Sequence, residues 1–114
     1  ILAFTDTIKK YPNSSFIEEA KEKRTKTIRM KAEKEEYIAD FYFKREMFDS
    51  SLKRYENLYN QFASLGFEKK SLHRMSLCAK KTNDSERFKK YSELLISKYP
   101  GSEEANSIGK ELRP

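Results

Sequence analysis

A nucleophile within reach of a base is the first chemistry a sequence can offer, and this chain holds one histidine, His73, and one cysteine, Cys78. They lie five residues apart on a stretch that reads as helical, so they do not share a face. A single cysteine excludes an intrachain disulfide and a multi-cysteine zinc site. Beside Leu77 and Ala79, Cys78 is expected in the core, and His73 at the surface or rim. Glu33, Glu35 and Glu36 could act as acid, base or metal ligand, but Lys31 and Lys34 flank them at helical spacing. That pattern predicts a solvated, ion-paired face. No Gly-rich phosphate loop and no His-x-x-x-His pair occurs. No catalytic residue, cofactor or metal is expected.

The remaining chemistry is charge. Lys and Arg number 24 against 18 Asp and Glu, a net +6. The densest cationic run is Lys69, Lys70, Arg74, Lys80 and Lys81, with no acid among residues 69–81. Such a patch attracts anionic lipid, acidic protein or nucleic acid, and otherwise serves as a solvated face. A base-stacking platform would interleave aromatics with the cations, whereas here the aromatics fall on apolar stripes, so nucleic acid is not expected as a partner. An anionic membrane surface or acidic partner loops fit better.

These residues must be positioned by a small scaffold. The chain has 114 residues, 37 % hydrophobic and 37 % charged, with only 3 Gly and 3 Pro, which leaves a helix-rich class. Seven Tyr and eight Phe supply more aromatic area than a solvated, disordered chain carries. No apolar run approaches the roughly 20 residues of a membrane span. The chain opens at Ile1, without Met and already in apolar sequence, and is read as a fragment of a larger protein.

A repeat organises the helices. Tyr11-Pro12-Asn13-Ser14, followed by Glu18, Glu19 and Ala20, returns as Tyr99-Pro100-Gly101-Ser102, followed by Glu103, Glu104 and Ala105. Proline disfavours helix for the residue before it, and the following Ser can cap a new helix, so each is a stop and a start. Gly66 plays the breaker between them. Phe48, Leu52, Tyr55, Leu58, Tyr59 and Phe62 form one helical stripe, and Phe88, Tyr91, Leu94, Leu95 and Tyr99 another. Asp49 is the expected cap of the first, and Asn83 with Glu86 that of the second. Ser14 to Glu46 contains no Pro or Gly, and its middle is rich in Lys and Glu, which predicts a long helix with a solvated midsection. The expectation is one all-α domain over 1–114: helix 1–10, a repeat over 14–62 with long helix 14–46 and helix 49–62, a repeat over 67–98 with helices 67–81 and 85–98, and a terminal helix 102–112. No strands are expected. Tyr11, Tyr42, Tyr55, Tyr59, Tyr91 and Tyr99 sit mostly at packing positions.

The spacing of Ala39, Tyr42, Phe48, Ser51, Tyr55 and Leu58 is close to the tetratricopeptide pattern, with Ser51 where that repeat usually has Ala. It predicts helical hairpins stacked as a solenoid. More specifically, Glu35 to Arg45 through Lys53-Arg54-Tyr55, with Tyr-Pro-Asn-Ser before and Tyr-Pro-Gly-Ser after, resembles the BamD (ComL, YfiO) family of outer-membrane assembly lipoproteins over nearly the whole chain, as its C-terminal half. The resemblance implies a non-enzymatic scaffold at the periplasmic face of the outer membrane, with a lipid anchor upstream. Implied partners are the periplasmic domains of BamA, other assembly-machinery subunits and segments of client barrel proteins. It also implies that Arg54 corresponds to an arginine that contacts BamA. Arg54 is offset from the apolar stripe of its helix, and Asn57 and Gln61 lie on neighbouring turns, so the three are expected to form one partner-binding face. The alternative is a tetratricopeptide peptide-binding adaptor in another pathway.

Overall fold

The computed structural model of the protein describes residues 14–112. Five helices follow in order: α1 (Ser14–Lys44), α2 (Phe48–Phe62), α3 (Glu68–Lys81), α4 (Ser85–Lys98) and α5 (Glu103–Leu112), with a 3-10 turn over Ala63–Leu65. No strand occurs among the described residues. The expected helix 1–10 and Tyr11 lie outside them.

The chain divides into two units, with the boundary between Lys31 and Ala32. In the first, every residue of α1 from Ile17 to Lys31 is exposed. Apolar residues are too sparse there to bury a face, and Ile28 and Met30 remain in solvent. The second unit holds the core and an all-α, tetratricopeptide-like packing of helical hairpins.

Within this unit α2 buries Ser51, Leu52, Tyr55 and Leu58, while Phe48, Tyr59 and Phe62 pack at the margin of the same stripe. From α3 come Leu72, Met75 and Cys78; from α4, Tyr91 and Leu95; from α5, Ala105 and Ile108. Small residues allow close approach of the backbones: Ala39 on α1 is fully buried opposite Ser51 on α2, whose hydroxyl donates to the Ala39 carbonyl at 3.0 Å. Tyr55 and Tyr91 are buried and Tyr42, Tyr59 and Tyr99 half-buried, whereas Tyr37 stands in solvent.

The turns come in two kinds. α1 ends at Lys44 because Glu46 adopts a left-handed φ of 60°, and the N–H groups of Glu46 and Met47 return to the carbonyls of Phe43 and Tyr42. Asn83, at φ 62°, ends α3 in the same way, its N–H bonding to Lys80 and that of Asp84 to Ala79. Both are Schellman closures without glycine. The other two turns use glycine: Gly66 at φ 96° after the 3-10 turn, and Gly101 at φ 81° after Pro100.

Two expected caps are corrected. The tight closure starts α2 at Phe48, so Asp49 falls inside its first turn and Met47 precedes the helix without a side-chain cap. Asp84, not Asn83, caps α4 by accepting the Arg87 N–H at 3.1 Å, because Asn83 is spent on the left-handed closure. Ser102 caps α5 as its sequence context suggests, accepting the Ala105 N–H at 3.1 Å.

Candidate partner-binding site

The outer surface of α2 is set by its inward stripe. With Leu52, Tyr55 and Leu58 buried, Asn57 and Gln61 are exposed, and Arg54 is half-buried on the same side of the helix. Arg54 is held rather than loose, since its Nη1 donates to Glu35 Oε1 of α1 at 3.3 Å. Its side chain keeps 41 % of its surface in solvent. A guanidinium anchored through one nitrogen and open on the others can fork onto a further carboxylate.

Behind this face lies a polar cluster that composition and spacing did not bring out. Tyr55 donates its hydroxyl to Asp40, and Lys70 Nζ reaches Asp40 Oδ2 at 2.9 Å and Glu36 Oε2 at 3.1 Å. Arg74 donates to the Tyr55 hydroxyl at 3.3 Å and stacks over the Phe43 ring at 4.1 Å. The phenol of Tyr55 is pushed up by burial and by its bond to Asp40. The cluster ties α1, α2 and α3 together around one carboxylate. Its one visible signal was Asp40, a charge set inside the apolar run Ala39–Phe43.

A second tie follows the same scheme. Tyr91 donates to Glu56, which also pairs with Arg87 Nε at 3.2 Å, joining α4 to α2. Burial and the Glu56 carboxylate push the Tyr91 phenol up to about 12. Glu68 accepts from Lys98 Nζ at 2.7 Å and from the Tyr99 hydroxyl at 2.8 Å, and both bonds hold its carboxyl below the usual range.

The cations of α3 do not form the acid-free field that their sequence implies. Lys70 is taken by Glu36 and Asp40, Lys69 lies 3.8 Å from Glu104, and Lys80 lies 2.7 Å from Glu111. Arg74 is spent on Tyr55 and Phe43. Lys81 is exposed with no ion pair among the described residues. The acids come from α1 and α5, distant along the chain and adjacent in space. Likewise Glu35 and Glu36 bind across to α2 and α3, not to Lys31 or Lys34. Among the described residues no three His, Cys, Asp or Glu side chains gather as a metal site.

Cys78 is fully buried and its thiol is pushed up to about 11 by burial, partly offset by a hydrogen bond with Ser51. His73 is half-buried. Its Nε2 is buried without a hydrogen-bond partner among the described residues, and burial holds the imidazole below its ordinary value against the opposing pull of Glu104.

No described helix is long and apolar enough to cross a membrane. No curated protein and no solved structure gives a significant match to the chain. The family described as YfiO, outer membrane lipoprotein, matches residues 1–95, a span that takes in α1, α2, α3 and most of α4 with the Arg54 face and the Asp40 cluster. Helical hairpins in this order, matched over most of their length, place the chain in the YfiO family of outer membrane lipoproteins.

Proposed function

We propose that the protein is a non-enzymatic scaffold of outer-membrane β-barrel assembly, at the periplasmic face of that membrane, docking through α2 onto BamA-like periplasmic domains. The observation that carries the reading is Arg54: pinned by Glu35 at 3.3 Å, partly open to solvent, and lined up with exposed Asn57 and Gln61. Enrichment of Arg at binding hot spots follows from this kind of geometry, since a pre-positioned fork loses little freedom when it meets a carboxylate. Other assembly subunits and client segments would meet the same helical array.

The test is binding of the intact chain to purified BamA periplasmic domains in moderate salt, comparing wild type with Arg54→Ala, Arg54→Lys and Arg54→Glu. Loss of a buried charge-assisted pair at an interface typically costs about 2 kcal/mol or more, so Arg54→Ala should weaken binding by about 30-fold or more. Arg54→Lys should recover only part, and Arg54→Glu should bind least. Unchanged affinity in all three, with helicity retained, removes this face from the reading.

A further inference from the structure

The cation run of α3 is the sequence motif that the scaffold reading leaves unused, and its partners are informative. Lys69, His73 and Lys80 follow one another at spacings of four and seven, which sets them along one side of α3. Against it α5 presents Glu104, Ile108 and Glu111, at spacings of four and three. Glu104 lies 3.8 Å from Lys69, Glu111 lies 2.7 Å from Lys80, and Ile108 is fully buried between the two pairs. The seam is a basic strip filled by an acidic helix with one aliphatic anchor.

Several features mark α5 as a lightly held edge of the core, to which it gives only Ala105 and Ile108. The family match stops at residue 95, before α5 begins at Glu103. Of its ten residues only Ala105 and Ile108 are buried, and Leu112 is left 38 % exposed. Both ion pairs are well solvated, with side-chain exposures of 44 % and 32 % in one and 44 % and 42 % in the other, so each holds weakly. The buried Nε2 of His73, which feels Glu104, has no hydrogen-bond partner among the described residues. The link from α4 passes through Pro100 and the left-handed Gly101, both exposed.

We propose that this side of α3 is a binding site for acidic amphipathic helices, with carboxylates seven residues apart astride an aliphatic side chain, and that α5 occupies it in cis as a displaceable ligand. The site stands apart from the Arg54 face and does not depend on it. A short tether gives α5 an effective concentration on the order of millimolar, so a partner segment enters when its own charges and anchor match the strip better than α5 does.

The probe is a fluorescein-labelled peptide with the sequence of residues 102–112, titrated against the intact chain and its E104K/E111K variant, with amide exchange followed helix by helix. The double reversal should speed exchange in α5 but not in α2, and should bind the peptide about ten-fold or more tighter than wild type does. Adding K69E/K80E to that variant re-forms both pairs with opposite sign and should restore slow exchange and weak peptide binding. Unchanged α5 exchange in the reversal, or equal peptide affinity in wild type and reversal, overturns the proposal. Should the reversal also loosen α3 and α4, wild type supplies the answer: excess unlabelled peptide must accelerate α5 exchange, a peptide with both glutamates changed to lysine must not, and absence of that difference is equally fatal.

Discussion

Ser51 on α2 donates its hydroxyl to the carbonyl oxygen of Ala39 on α1 at 3.0 Å, twelve residues back along the chain, with both residues fully sealed from water. The serine that departs from the usual alanine of this repeat is thus a bolt between the two helices of a hairpin, and its loss is felt as a hydrogen bond. Ser51→Ala should cost about 1 kcal/mol in urea unfolding. Ser71 and Ser92 are equally buried, but their hydroxyls have no partner among the described residues. Removing an unsatisfied polar atom relieves a desolvation cost, so Ser71→Ala and Ser92→Ala should be neutral or stabilising. The three midpoints, measured side by side, check the contrast.

Glu46 sits at φ 60° in the closure that joins α1 to α2. A side chain in the left-handed region costs roughly 1–2 kcal/mol, part of which glycine returns to the unfolded chain as entropy. Glu46→Gly should therefore raise stability by about 0.5–1 kcal/mol and lift the thermal midpoint by a few degrees. Asn83 occupies the corresponding place after α3 at φ 62°. Asparagine tolerates that conformation, so Asn83→Gly should change the midpoint less than Glu46→Gly does.

Cys78 predicts its own silence. Its thiol is fully buried and pushed up to about 11, so near pH 8 neither access nor thiolate is available. A chromogenic disulfide reagent should react with the native protein only as fast as the core opens, and at once in denaturant. Fast native labelling at pH 8 would contradict this burial.

His73 makes the fold acid-sensitive. Its imidazole is held below the ordinary value by burial, against Glu104 which pulls it up and with Arg74 which adds to the depression. The unfolded chain, with a histidine near 6.5, therefore binds the proton more readily than the native one. Stability from this group is complete above about pH 6.5 and declines as pH falls through that value toward the lower native one. His73→Gln should flatten the denaturation midpoint between about pH 7 and pH 5 relative to wild type. Equal slopes in the two proteins would show that other groups carry the acid response.

The helices were legible because their signals are local. The stripe Leu52, Tyr55 and Leu58, the solvated lysines from Lys21 to Lys31, and the Ser102 cap each depend on neighbours within a turn or two. The resemblance also led to the family, since its motif residues lie close together in sequence. What the sequence hid were relationships across helices. Lys69, Lys70 and Lys80 look like an open field until α1 and α5 bring Glu36, Asp40, Glu104 and Glu111 beside them. The cap of α4 was missed by one residue because Asn83 can serve either a cap or a left-handed closure, and only the Asp84 bond back to Ala79 decides which. Asp40 carried a readable oddity, a charge amid apolar neighbours, but its partners Tyr55 and Lys70 lie 15 and 30 residues away.

Those separations carry a kinetic meaning. Tyr91 and Glu56 are 35 residues apart, Lys80 and Glu111 are 31, and Tyr99 and Glu68 are 31, so each of these side-chain ties stays within one hairpin or reaches a neighbouring one. These ties span no more than 35 residues and most of the packing lies within helices and between successive ones, so folding can begin in any hairpin and spread to the next without first closing a loop across the whole chain. Under tension the same arrangement should yield in steps, one hairpin at a time from a free end, like a zip rather than a knot.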